Sequence, residues 1–306
     1  LGDVYKRQDQ IEGMDMESIT LQAYAKINLG LDVIRKRRDG YHEVKMIMQN
    51  ISLSDTLDLR KATGSEIELC SATGEDVPEV PMNADNLIYK AIQMLKDEFQ
   101  IKEGVHAILT KRIPVAAGMA GGSTDAAAAL KGMNQLFELG LSEQELCERG
   151  VKLGADIPYC IMGGTALSEG IGEKLTALPE IPDCWILIAK PPIAVSTGFV
   201  YGNLKVKELA EHPDIDGMVE AIKSQDLGGI VDRMGNVLET VTIPAYPVIE
   251  TIKNQMLEHG AENALMSGSG PTVFGIFKDE QAAREAGTAI GEAELSKQIY
   301  LTRPQY

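Results

Sequence analysis

The sequence has no Cys-x-x-Cys pair, no run of about 18 consecutive apolar residues, no internal repeat and no excess of positive charge. Each absence removes a class of function. Cys70, Cys147, Cys160 and Cys184 lie far apart, without histidine at ligand spacing, so neither a zinc site nor a disulfide framework is expected. They read as reduced core thiols and, with no recognisable secretory signal, point to the cytoplasm. A net charge of -16 argues against nucleic acid or an anionic membrane as partner, because affinity for such surfaces comes from clustered Lys and Arg. The missing long apolar run removes a membrane-spanning helix.

What remains is globular: 306 residues, 44% hydrophobic and 24% charged, enough for two domains. Residues 1–18 are expected to be a non-native or disordered extension, since Leu1 to Gly13 lack periodicity and Met14 and Met16 stand just before the first apolar pattern. The domain division expected is 19–180 and 181–306, with the boundary ahead of Trp185.

The most informative segment is Pro114-Val115-Ala116-Ala117-Gly118-Met119-Ala120-Gly121-Gly122-Ser123-Thr124-Asp125, leading into Ala126 to Ala129. Its glycines allow conformations closed to other residues, and a helix beginning there carries roughly half a positive charge at its first turn. Backbone N–H groups in such a place suit phosphate oxygens. No Lys follows the glycines, so the pattern is not G-x-x-x-x-G-K-[ST], and it is not G-x-G-x-x-G. A tight turn with a close-packed helix is the plainer alternative.

Periodicity predicts strands over 19–27, 29–35, 44–53 and 56–59 with a turn at Asp39-Gly40, a helix over 86–99, and a strand over 105–113. A helix is expected over 124–139, and Ser142 with Glu145 has capping-box spacing for another. Further on, helices are predicted over 215–223, 227–238, 247–259 and 279–290, and strands over 185–189, 264–267, 272–277 and 298–302. Helices and strands mix without strict βαβ alternation, so the fold class expected is α+β.

Several residues could carry chemistry. Asp156 in Gly154-Ala155-Asp156-Ile157-Pro158 suits an N-cap, or a carboxylate that accepts a proton during phosphoryl transfer. Lys26, alternating with apolar neighbours, suits a solvent-facing strand position, or a cation that balances charge. Tyr41-His42 and Tyr201 offer aromatic faces for a nucleobase, or simple packing. Ser267-Gly268-Ser269-Gly270-Pro271 reads as a β-turn between strands.

Taken in order along the chain, Ala25-Lys26-Ile27-Asn28-Leu29, Asp39 to Val44, Pro114 to Ala128, Gly154 to Pro158 and Met266 to Phe274 resemble the GHMP small-molecule kinase superfamily over roughly residues 19–302. Asp-Gly-Tyr-His points to members whose acceptor is a cytidine diphosphate-linked methylerythritol. The resemblance implies a two-domain α+β fold, with a mixed nucleotide-binding domain and a ferredoxin-like C-terminal domain. It implies ATP with Mg2+, no assigned protein ligand for the metal, and a monomer or weak homodimer. By the same match Asp156 is the catalytic carboxylate and Lys26 its charged partner, while Asn28, Tyr41, His42 and Tyr201 bind the acceptor. Pro114, Val115, Ala116, Ala117, Gly118, Met119, Ala120, Gly121, Gly122, Ser123 and Thr124 would wrap the ATP phosphates, with Gly268, Ser269 and Gly270 closing the cleft. Where many members read Gly-Leu-Gly-Gly-Gly-Ser-Ser, this chain has Ala120 and Thr124; a positive φ at Ala120 would carry strain. A kinase of the same superfamily for homoserine or mevalonate, and a catalytically silent nucleotide-binding protein, are the alternatives.

Overall fold

The computed structural model describes residues 17–74, 77 and 79–306. Two long strands, β1 (Ser18–Lys36) and β2 (His42–Ala62), pair antiparallel from end to end. Four strands were expected here. They fuse into two, and the interruptions in alternation are β-bulges, with register shifts between Tyr24 and Lys26, Asn28 and Gly30, and Val33 and Arg35. Of the expected extension over 1–18, residues 1–16 lie outside the described residues, whereas Ser18 pairs with Arg60 at the start of β1.

The first half continues with β3 (Ile67–Ser71), α1 (Leu87–Phe99), β4 (Gly104–Thr110), α2 (Gly121–Leu136), α3 (Glu143–Gly150), α4 (Ile157–Met162), β5 (Thr165–Gly170) and β6 (Lys174–Leu178). Its sheet runs β3-β4-β2-β1, with β5 also pairing β2 and β6 pairing β5. On α1, Asn86 caps the first turn by accepting from the Ile88 N–H, and Ile88, Ala91, Ile92 and Leu95 are buried. Phe99, expected on that face, is partly exposed beneath the Arg149 guanidinium. Each fully buried Ile or Leu contributes about 1.5–3 kcal/mol. Small residues let α2 lie close on the sheet: a Cβ at Gly132 would stand 2.5 Å from Leu59 Cδ1. The capping box at α3 is complete, with Ser142 N–H donating to Glu145 at 2.9 Å and the Glu145 N–H donating to Ser142 Oγ at 3.3 Å.

The second half comprises β7 (Trp185–Lys190), α5 (Thr197–Asn203), a 3-10 turn at Val206–Glu208, α6 (Ile215–Lys223), α7 (Leu227–Val231), β8 (Gly235–Asn236), α8 (Glu239–Ala245), α9 (Val248–Glu258), β9 (Asn263–Met266), β10 (Val273–Phe277), α10 (Glu280–Glu292) and β11 (Gln298–Thr302). The helix expected over 227–238 stops at Val231, because Gly235 and Asn236 leave it to pair in parallel with Gly30 and Leu31 of β1. The second sheet is antiparallel in the order β11-β7-β10-β9. With α9 ahead of β9 and α10 ahead of β11, that is the β-α-β-β-α-β order of a ferredoxin-like unit. The α+β expectation thus holds in both halves.

Candidate active site

The segment between β4 and α2 has a backbone whose geometry suits an anion. Positive φ recurs at every second residue, at Ala116 (50°), Gly118 (71°) and Ala120 (57°), a pattern that gathers backbone N–H groups into a concavity. Ala120 is the N-cap of α2 and its side chain makes no cap, so the N–H groups of Gly121, Gly122 and Ser123 have no intrahelical acceptor. The strain anticipated at Ala120 is real, about 1–2 kcal/mol for a left-handed L-residue. Beside this turn lies a cavity of about 360 Å³, walled by Pro114 to Gly118 and Ala120 to Ser123. Met119 instead turns its side chain into the core. Thr124 faces the other way, its hydroxyl donating to the Tyr24 carbonyl at 2.8 Å. Gly268, Ser269 and Gly270 do not line the cavity; their segment packs behind Gly118, where Ser267 Oγ donates to the Gly118 carbonyl at 3.1 Å.

Lys26 is not solvent-facing. The bulges on either side re-aim the strand, and Lys26 is 5% exposed, its ammonium donating to Asn28 Oδ1 at 2.8 Å and to the Gly118 carbonyl at 3.2 Å. Asn28 is fully buried, so it orients Lys26 and does not offer an open edge to a ligand.

Asp156 stands at the N-cap position of α4, yet its side chain does not cap the helix. Among the described residues it has no ion pair within 4.0 Å, so the Lys26–Asp156 salt bridge implied by their expected partnership is not formed. The fields of both charges nevertheless reach Cys160 on α4. Burial first, then Asp156, pushes its thiol far above the usual range, and Lys26 pulls it down. Asp156 also acts on Tyr201, whose phenol is pushed up to about 12 by burial and by that carboxylate.

Tyr201, carried by α5, meets His42 at the start of β2 with ring centroids 5.1 Å apart and planes tilted 44°. Both line a cavity of about 430 Å³ together with Tyr41, which is 61% exposed. Burial and the nearby Lys36 hold the His42 imidazole below its ordinary value, so it is neutral at pH 7. Its Nε2 is buried without a hydrogen-bond partner. Both cavities fall within the size range of small-molecule pockets.

The sequence reading missed a buried charge cluster under the glycine turn. The strand expected to reach Ile113 ends at Thr110, because the backbone N–H groups of Arg112 and Ile113 turn to Asp55 of β2. Lys111 then reaches both Asp55 and Asp125. These residues are 56 and 14 positions apart, and no local pattern links them.

The GHMP kinases N terminal domain family matches residues 86–164 and the GHMP kinases C terminal family matches residues 218–296. A protein of Lachnospira eligens named 4-diphosphocytidyl-2-C-methyl-D-erythritol kinase is 55% identical over 287 residues, 94% of this chain and 98% of its own length. One of the same name from Lachnoclostridium phytofermentans is 54% identical, again over 94% and 98%. The crystal structure of a 4-(cytidine 5'-diphospho)-2C-methyl-D-erythritol kinase superposes with a TM-score of 0.79 at 27% identity, covering 94% of this chain and all of the other. A homoserine kinase from Cytophaga hutchinsonii shares the fold, with a TM-score of 0.72 at 19% identity over 95% and 96%. The chain therefore belongs to the GHMP kinases and, within them, to the family of the 4-diphosphocytidyl-2-C-methyl-D-erythritol kinases.

Proposed function

We propose that the protein transfers the γ-phosphoryl group of ATP to the 2-hydroxyl of 4-diphosphocytidyl-2-C-methyl-D-erythritol, giving the 2-phosphate and ADP for isoprenoid precursor synthesis. The observation that carries this reading is the Asp156 carboxylate, uncommitted to the cap of α4, whose charge reaches Tyr201 of the aromatic cavity and Cys160, which also feels the Lys26 held against Gly118. In this reading the turn and the first N–H groups of α2 hold the triphosphate. His42 reads the edge of the cytosine, and Tyr201 and Tyr41 supply faces for it. Asp156 accepts the hydroxyl proton as the acceptor oxygen bonds to Pγ and the bridging oxygen leaves with ADP. Lys26, fixed by Asn28 and the Gly118 carbonyl, offsets the negative charge that gathers there.

Mg2+ neutralises triphosphate charge when bound. The described residues contain no cluster of three His, Cys, Asp or Glu side chains, which fits an ion carried in on the nucleotide better than one caged by the protein. The two sheets support a division near residue 180, although β8 crosses back to the first sheet. Four free thiols support a cytoplasmic site of action, and no helix among the described residues is long and apolar enough to cross a membrane. A monomer or weak homodimer is part of the same reading.

The test is ADP release from ATP and Mg2+ by the purified chain in the presence of the cytidine diphosphate-linked acceptor. Turnover is expected with this acceptor and not with homoserine or mevalonate. Turnover with either of those, and none with the cytidine compound, overturns the acceptor and leaves the kinase class standing.

A further inference from the structure

Three charged side chains under the glycine turn play no part in the phosphoryl transfer described above. Asp55 of β2 is 0% exposed and Asp125, in the second turn of α2, is 3% exposed. Lys111 lies between them, donating to Asp55 and, at 2.9 Å, to Asp125 Oδ2. Asp55 also accepts the Ile113 N–H at 2.8 Å and that of Arg112, so it pins the start of the glycine turn to the central sheet. Gly121 makes the arrangement possible, since a Cβ there would stand 2.9 Å from Lys111 Nζ. Lys111 and Asp125 both line the cavity beside the turn.

The charges do not balance if both carboxyls are ionised. One ammonium faces two acids, and Asp125 Oδ1 is buried with no donor. Asp55 already accepts from Lys111 and from the Arg112 and Ile113 N–H groups and needs no proton of its own. Among the described residues Asp125 accepts from Lys111 alone, so a proton on Oδ1 both removes the excess charge and turns the orphaned atom into a donor.

We propose that Asp125 is a positioning residue of the nucleotide site: a proton held on its carboxyl makes the Asp55–Lys111–Asp125 cluster neutral, and Lys111, bridging the two acids, latches the glycine turn and the start of α2 onto β2. The proposal rests on the reading of this cavity as the place of the ATP phosphates. Without the proton, a net negative charge would sit under the helix end that must accept a polyanion, and two carboxylates would repel across the latch. The ionisable groups facing Asp125 are Asp55 from β2 and Lys111 from the segment after β4; Glu79 and Asp85, ahead of α1, line the same cavity. Burial raises the Asp125 carboxyl, Lys111 lowers it and Asp55 raises it again, with the balance well above the usual carboxylate range.

The experiment is calorimetric titration of the full chain with the Mg2+ complex of a non-hydrolysable ATP analogue, for the wild type and Asp125→Asn, from about pH 7 to about pH 9.5. The dissociation constant of the wild type is expected to rise about tenfold across that range, the effect of one uncompensated charge in a partly screened site. Asp125→Asn should lack that rise and stay level across the range, because an amide carries no charge at any of these pH values. A level wild type, or a variant that keeps the wild-type slope, overturns the proposal. So does a variant that binds weakly at every pH and needs more Mg2+, which would make Asp125 an ionised cation ligand. Should the variant fail to fold, the infrared band of a protonated carboxyl in the wild type near pH 7, lost by about pH 9.5, supports the proton on Asp125, and its absence overturns it. Binding needs no acceptor, so an error in the assigned acceptor leaves this result intact. A wild type that binds no nucleotide would sink the reading of the cavity, and the infrared band would still report on the proton.

Discussion

Gly118 and Ser267 touch across the two glycine-bearing segments: a Cβ on Gly118 would stand 2.3 Å from the Ser267 carbonyl oxygen, while Ser267 Oγ donates to the Gly118 carbonyl at 3.1 Å. Backbone cannot give way as a side-chain tip can. Gly118 also has φ +71°. Gly118→Ala is therefore expected to cost more than the left-handed strain alone, about 3 kcal/mol or more, and to raise KM for ATP at least tenfold. Gly140→Ala is the control, because it has φ +69° and open space; it should cost only about 1 kcal/mol. Equal losses of melting temperature in the two variants would refute the steric argument.

Ala120 is the reverse case. Its φ of 57° strains an alanine, whereas glycine adopts it freely. Ala120→Gly gives up about 0.5–1 kcal/mol of unfolded-state restriction and recovers a similar or larger native strain, so denaturation midpoints should stay level or rise. A fall of about 1 kcal/mol or more would show that Ala120 is not strained.

Among the described residues the Asp156 side chain does not cap α4 or form an ion pair, so the catalytic role proposed for it can be tested apart from stability. Asp156→Ala should lower kcat by about 10²–10⁴, leave KM for ATP nearly unchanged and keep the melting temperature. Lys26→Met should also lower kcat, but with lost stability, because the Gly118 carbonyl and Asn28 each lose a donor. Loss of stability in the Asp156 variant would contradict the geometry.

His42 is held neutral by burial and Lys36, below the value of 6.5 it regains in the unfolded chain. The unfolded state therefore takes up a proton first. Stability is complete above about pH 6.5 and declines as pH falls below it. KM for the acceptor should rise over the same acid range, with KM for ATP unaffected. His42→Phe keeps the ring contact with Tyr201 and should abolish the acid rise. A rise that survives in His42→Phe must come from another group.

Asp125 has the opposite sign. Its carboxyl is raised from 3.8 to about 8, so the folded protein holds a proton that the unfolded chain gives up. Stability from this group declines as pH climbs from about 4 to about 8 and is level beyond. Melting temperatures of Asp125→Asn should lack that decline; a matching decline in variant and wild type would assign it elsewhere.

Features with a local chemical cause were readable from the chain. The capping box of Ser142 and Glu145 is a four-residue pattern, and it formed with both of its bonds. The glycine turn was marked by residue types that only such a backbone needs. Of the two readings of Lys26 only the solvent-facing one failed, because alternation assumes an unbroken pleat and two bulges re-aim that stretch. β5 and β6 carry mixed polar and apolar residues that do not stand out from loop. The Asp55–Lys111–Asp125 cluster was invisible because each member alone is an ordinary charged residue, and only the fold brings them together.

His42 and Lys26 ride on the same pair of hydrogen-bonded strands, one at its turn and the other at a bulge near the glycine turn. In the proposed reaction the gap between nucleobase and reacting hydroxyl is thus set by strand registry, as a fixed gauge. An acceptor whose linker is one phosphate shorter could satisfy the base end or the carboxylate, and not both.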